Sequence, residues 1–182
     1  MILFAAIVPP QSALEAIEDT VRQHLVEPSA LRPMHDMSLP IARFGNTSAT
    51  DADRLIRVLT TAADEWSGMS LGLRGATVVD TPSERILGVQ VSGDVDALLR
   101  LSLDVKRAAE QLRFLLDRRD FNPVLAVASV RPGTHSGLDA AAAALADFES
   151  EPWQVTEVSM RKQAYGHVGA SDEVACVALP PG

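Results

Sequence analysis

At 182 residues, 47% hydrophobic and 22% charged, the chain has the size and composition of one ordinary globular domain, or of two small lobes sharing a core, and it is too apolar to be disordered. A formal net charge of −8 excludes a broad, non-specific nucleic-acid surface, which needs basic residues to release counterions, though it leaves room for a local basic cleft. Cys176 is the only cysteine, so no internal disulfide forms and a cytoplasmic location is expected.

The opening run Met1-Ile2-Leu3-Phe4-Ala5-Ala6-Ile7-Val8 is apolar but lacks a basic leader and stops at Pro9-Pro10. It is too short to span a bilayer and predicts a first strand over roughly Ile2 to Val8, with no membrane contact expected. From Gln11 to Leu25, the residues Leu14, Ile17, Val21 and Leu25 recur at helical spacing opposite Glu15, Glu18, Asp19 and Arg22. A proline-bearing loop leads to a predicted strand over Met37 to Phe44, closed by Gly45-Asn46. Ser48 or Thr50 caps the next helix, whose stripe is Ala52, Leu55, Ile56, Leu59 and Ala63 and whose acidic first turn holds Asp51 and Asp53.

Ser70 to Val78 and Arg85 to Val91 predict a hairpin with a turn at Asp80, Thr81 and Pro82. Asp94 opens a long helix with Leu98, Leu99, Leu101, Val105, Ala108, Leu112 and Leu115 as its stripe. The run Phe121-Asn122-Pro123-Val124-Leu125-Ala126-Val127-Ala128-Ser129-Val130-Arg131-Pro132-Gly133 follows as a strand ending in a glycine turn. An Ala-rich helix over Leu138 to Phe148, one strand over Trp153 to Met160 and a last strand over Glu173 to Leu179 complete the chain, with Cys176 expected as a small core residue. The order is that of an α+β fold with two pseudo-symmetric lobes of antiparallel sheet and outer helices around a cleft, a single bilobal unit over 1–182. A doubly wound parallel sheet fits less well, because two strand pairs are joined too directly for crossover helices.

The order and the local words together resemble the two-histidine phosphoesterase superfamily, in its 2′-5′ RNA ligase-like (RNA 2′,3′-cyclic phosphodiesterase) branch. The segments that carry the resemblance are Leu3 to Pro10, Phe44-Gly45, Arg85 to Val89, Phe121-Asn122-Pro123, Val130 to Gly133 and Trp153 to Val158. The resemblance implies two His-x-Thr/Ser-x motifs on facing strands, one per lobe. Period-two alternation aims the histidine and the hydroxyl of each motif into the cleft together. One imidazole then serves as general base and the other as general acid on a phosphodiester. In this chain the matching positions hold Ser38 and Pro40 in the first motif and Val124 and Ala126 in the second. Ser129 stands where many relatives have an arginine, so a phosphate-binding charge is expected to be lost as well.

What the resemblance implies is thus a degenerate, catalytically inactive relative with no catalytic residue, no metal and no cofactor, which binds a small nucleotide-like or less charged ligand. His35, Arg43, Ser129 and Arg131 are the candidate anion or ligand contacts. Two alternatives stand beside it: altered phosphoester chemistry using Ser38 with His35 or His135, and a non-enzymatic interaction module with a closed cleft and an apolar patch. Other signals are weak. Gly68-Met69-Ser70-Leu71-Gly72 matches a nucleophile elbow, but a helix precedes it and a strand follows, the reverse of what that turn needs. His24, His35, His135 and His167 are scattered with no metal-ligand spacing, and Trp66 and Trp153 are too isolated to stack bases.

Overall fold

A computed structural model describes residues 1–112, 114, 116, 121–163 and 171–181. His167 and Leu115 lie outside them. The elements are β1 (Ile2–Ile7), α1 (Gln11–Arg22), β2 (Leu39–Asn46), α2 (Ala49–Ala62), β3 (Met69–Asp80), β4 (Arg85–Gly93), α3 (Val95–Glu110), β5 (Val124–Val130), α4 (Leu138–Ala144), β6 (Trp153–Val155), β7 (Glu157–Gln163) and β8 (Ser171–Ala178). They build two four-stranded sheets, ordered β2-β1-β7-β8 and β5-β4-β3-β6, with every pairing antiparallel. The α+β architecture expected from the sequence is the one observed.

Each helix forms where apolar spacing demands it. α1 buries Ala13, Leu14, Ile17 and Val21, and α3 buries Leu98, Leu101, Val105 and Ala108, each a stripe that water would otherwise wet. α2 starts where the Ser48 hydroxyl accepts from the Asp51 amide at 3.1 Å, a side-chain cap worth about 1 kcal/mol. α4 starts at Gly137, whose φ of 78° favours glycine and whose backbone crowds the His24 carbonyl, so a side chain there would drive α4 off α1. The buried residues of both sheets and all four helices form one continuous apolar cluster.

Two expectations are corrected. The run Trp153 to Met160 is not one strand: β6 pairs with β3 in the second sheet, and β7 pairs with β1 in the first. The chain changes sheets at Thr156, whose carbonyl accepts from the Leu179 amide at 2.8 Å. Cys176 is exposed rather than a core residue, because the register sets Val177 against Val158 on the core side and leaves Cys176 opposite Ser159 on the other face. Ser70 lies in β3 after a helical turn, which is not the context of a nucleophile elbow. No helix among the described residues is long and apolar enough to cross a membrane.

Candidate ligand cavity between the two sheets

The site is framed by β2 and β5, the edge strands of their sheets, which also touch each other. Pro40 therefore sits on an edge strand, where its missing N–H costs no central ladder bond. The two strands carry the same irregularity at the same place. In β2, Ala5 and Ala6 face Ala42 and Pro40, leaving Ile41 as the extra residue; in β5, Leu87 and Gly88 face Ala128 and Ala126, leaving Val127 as the extra residue. An unpaired residue must find another partner for its carbonyl. The Ile41 carbonyl accepts from the Ser102 hydroxyl of α3 at 2.6 Å, and the Val127 carbonyl accepts from the Arg32 amide at 2.9 Å. The pseudo-symmetry of the lobes thus extends to the bulge and to its satisfaction.

The bulge shifts side-chain parity, and this decides which residues reach the cleft. Before it, Ser38, Pro40, Val124 and Ala126 line one cavity of about 390 Å³. After it, Arg43 falls opposite Phe4 and Ser129 opposite Ile86, and Phe4, Ile86 and Arg43 line the same cavity. Uninterrupted alternation would have sent Arg43 and Ser129 to the core side. Val124 has room because Gly88 lies beneath it: a Cβ at Gly88 would come within 2.3 Å of a Val124 methyl.

The remaining wall comes from the segment between α1 and β2. Leu31 bridges to Ala128 and the Arg32 amide binds Val127, which fixes one end to the second sheet. At the other end Asp36 Oδ1 accepts from the Ser171 amide at 2.8 Å and from the Ser171 hydroxyl at 3.0 Å. Arg161, 7% exposed, locks that end to the first sheet: Nη2 donates to the His35 carbonyl at 2.7 Å and the Ser171 carbonyl at 3.0 Å, and Nε donates to the Ser171 hydroxyl at 3.1 Å. Arg32, Asp36, Glu84, Gln163 and Ser171 all line the cavity. The Arg43 guanidinium lies 5.5 Å from the centre of the Phe4 ring, within cation–π range.

Of the expected contacts, the structure brings Arg43 to the cavity with Ser38, Pro40, Val124 and Ala126 and puts Ser129 on the same face of β5. It does not bring His35, whose side chain is 66% exposed and whose Nε2 stands 3.6 Å from Asp36 Oδ2. Arg131 and His135 are exposed in the turn beyond β5. No histidine among the described residues lines the cavity, and no group of three or more His, Cys, Asp or Glu among them is placed to hold a metal ion. A larger depression of about 560 Å³ lies elsewhere, bounded by Arg54, Arg57 and Glu65 beside Gln111 and Leu112, and none of its described lining residues belongs to a strand.

Sequence reasoning missed Arg32, Asp36, Glu84 and Ser171. Arg32, Asp36 and Glu84 lie outside the strands and α-helices, and Ser171 is the first residue of β8, so no run of alternation announces their direction. Next to the cavity, on the same face of the first sheet, the Ser159 hydroxyl donates to Glu173 at 2.7 Å and holds that carboxyl below its usual range, with help from Cys176 and Arg161. Partial burial, with Glu173 and Glu157 alongside, pushes the Cys176 thiol up to about 12.

No protein-family model matches the chain, and no curated protein matches it. Solved structures do. TT0787 of Thermus thermophilus superposes with a TM-score of 0.73 over 98% of both chains at 16% identity. LigT of E. coli, solved with 3′-AMP, superposes with a TM-score of 0.71 over 98% of this chain and 97% of its own at 20% identity. LigT has also been solved with NADP+ and with ATP. Usb1 of Kluyveromyces marxianus is more distant, with a TM-score of 0.50 over 98% of this chain and 97% of its own at 12% identity. Along nearly its whole length this chain therefore adopts the fold of TT0787 and LigT.

Proposed function

We propose that the protein binds a small nucleotide-like molecule in the cavity between β2 and β5 and does not hydrolyse it. The observation that carries this is the chemistry of the four positions matching the family motifs. Val124, Ala126 and Pro40 have no titratable or hydrogen-bonding side-chain group, and the Ser38 hydroxyl ionises far above neutrality, so none can take or give a proton on a phosphoester near pH 7. Both motifs are degenerate on this reading, while the scaffold that aims them is retained. A volume of about 390 Å³ is at the small end for ligand cavities and suits a mononucleotide better than an extended dinucleotide. The complexes of LigT with 3′-AMP, NADP+ and ATP support a ligand of nucleotide type. We place the protein in the cytoplasm, as one bilobal domain over 1–182.

Altered chemistry at Ser38 gains no support, since neither His35 nor His135 lines the cavity. An interaction module would need a closed cleft and a continuous apolar patch. The cleft holds a cavity, and the exposed large apolar residues Val8, Val26, Val79, Leu103 and Val174 are spread over separate elements.

The test is a paired assay of the purified protein. Calorimetric titration with 3′-AMP is expected to show saturable binding, while incubation with 2′,3′-cyclic nucleotides and 2′-5′-linked dinucleotides is expected to leave them intact. Robust turnover that Ser38→Ala abolishes would overturn the inactive reading, and absence of 3′-AMP binding would overturn the ligand class.

A further inference from the structure

Two residues that line the cavity each carry a buried polar atom, of opposite character, that nothing in the protein satisfies. Arg32 Nε is inaccessible to solvent and has no hydrogen-bond acceptor, and Asp36 Oδ2 is inaccessible and has no donor. The Asp36 side chain is only 6% exposed, and His35 Nε2, at 3.6 Å from Oδ2, is too far for a hydrogen bond. An unsatisfied buried polar atom costs about 1–3 kcal/mol, more when it belongs to a charged group. Both residues are nevertheless fixed in place, Arg32 through its backbone on β5 and Asp36 through Ser171 and the Arg161 network. Unsatisfied groups carried on anchored backbone at one cavity are what a binding site needs, because part of their ordering cost is met in folding and their pairing is left to a ligand.

The charge of the wall sharpens this. Among the described residues its ionisable groups are Arg32 and Arg43 against Asp36 and Glu84, formally neutral together. Recognition of an anion here cannot rest on a general positive field and must come from the positions of individual groups.

Resting on the binding function argued above, we propose that Arg32 and Asp36 form a recognition pair that takes one ligand by both ends, Arg32 holding its anionic group and Asp36 Oδ2 accepting a hydrogen bond from an N–H or O–H of the same molecule. Since Oδ1 is already occupied by two donors from Ser171, Asp36 reads a single donor, supplied either by an exocyclic amine of a base or by a ribose hydroxyl.

Asp36→Asn tests this cleanly. The Ser171 donors keep the amide oxygen at the Oδ1 site, so the substitution puts an N–H donor where Oδ2 was and reverses polarity at that one atom. Calorimetry should show 3′-AMP binding weakened about tenfold or more, with inorganic phosphate binding unchanged. Arg32→Met, which removes no internal side-chain hydrogen bond, should weaken both probes about tenfold. With the wild-type protein, purine riboside 3′-monophosphate loses affinity if the base amine is the donor, and 2′-deoxyadenosine 3′-monophosphate loses it if the 2′-hydroxyl is. Equal 3′-AMP affinity in wild type and Asp36→Asn, or in wild type and Arg32→Met, overturns the pair while leaving nucleotide binding intact. Failure of the wild-type protein to bind 3′-AMP overturns the binding function and the pair together.

Discussion

Arg161 offers the most direct test of how the cavity wall is held. Arg161→Met keeps the volume of the stem but removes the guanidinium, which donates to the carbonyls of His35 and Ser171 and to the Ser171 hydroxyl. Two part-buried carbonyls then lose their charged donor. Each orphaned acceptor costs about 1–3 kcal/mol, and partial relaxation of the loop brings the sum to about 3 kcal/mol. For a protein of this size, with about 2–4 °C per kcal/mol, the melting temperature should fall by about 6–12 °C. Thermal unfolding followed by circular dichroism measures this directly. Because the same guanidinium ties the His35–Asp36 turn to β7, the 3′-AMP affinity should fall with it, although Arg161 is not among the residues lining the cavity. A melting temperature within about 2 °C of wild type would refute the claim that this arginine anchors the wall.

Three further outcomes follow from the same structure. Introducing two His-x-Thr pairs with Ser38→His, Pro40→Thr, Val124→His and Ala126→Thr together should produce hydrolysis of 2′,3′-cyclic nucleotides about 10²-fold or more above the parent, since all four positions line one cavity; a folded variant with no turnover would show that the facing strands do not hold an acid and a base at working separation. Glu173 has its carboxyl held below the usual range chiefly by the Ser159 hydroxyl, so its contribution to stability is fully present above about pH 4.3, the ordinary glutamate value, and is lost as pH falls through the lower folded value. The difference in urea midpoint between wild type and Glu173→Gln should therefore shrink below about pH 4, and a difference that does not change with pH would contradict it. At pH 8.5, Cys176 should react with iodoacetamide at least about tenfold more slowly than the same thiol in the unfolded chain, and Glu157→Gln should speed it; equal rates in folded and unfolded protein would contradict the raised thiol.

Much of the architecture was legible in the residues. Helical spacing in Leu14, Ile17 and Val21, and again in Leu98, Leu101 and Val105, could bury a stripe only as a helix, and α1 and α3 do so. Local capping at Ser48 was equally plain, because the serine and the amide it caps are three positions apart. The split of Trp153 to Met160 had a signal that alternation concealed. Trp153 and Val155, then Val158 and Met160, each keep period two but are separated by a step of three, and the chain changes sheets at that break. Cys176 was misplaced for the opposite reason. Its neighbours alternate well, but alternation does not say which face meets the core, and only the pairing of Val177 with Val158 decides it.

By itself the sequence determined that Ser38, Pro40, Val124 and Ala126 carry no side-chain group that could move a proton near neutral pH. That is a matter of identity, and no fold can change it. Only the tertiary structure decided what else faces those positions. The bulges at Ile41 and Val127 turn Arg43 and Ser129 toward the cleft, and contacts from α3 and from the α1–β2 segment satisfy those bulges. Arg32 and Asp36 reach the cavity because Val127 holds one end of their segment while Ser171 and Arg161 hold the other. Such contacts join residues far apart in the chain, 126 positions in the case of His35 and Arg161, and a local pattern carries no information about a partner at that distance.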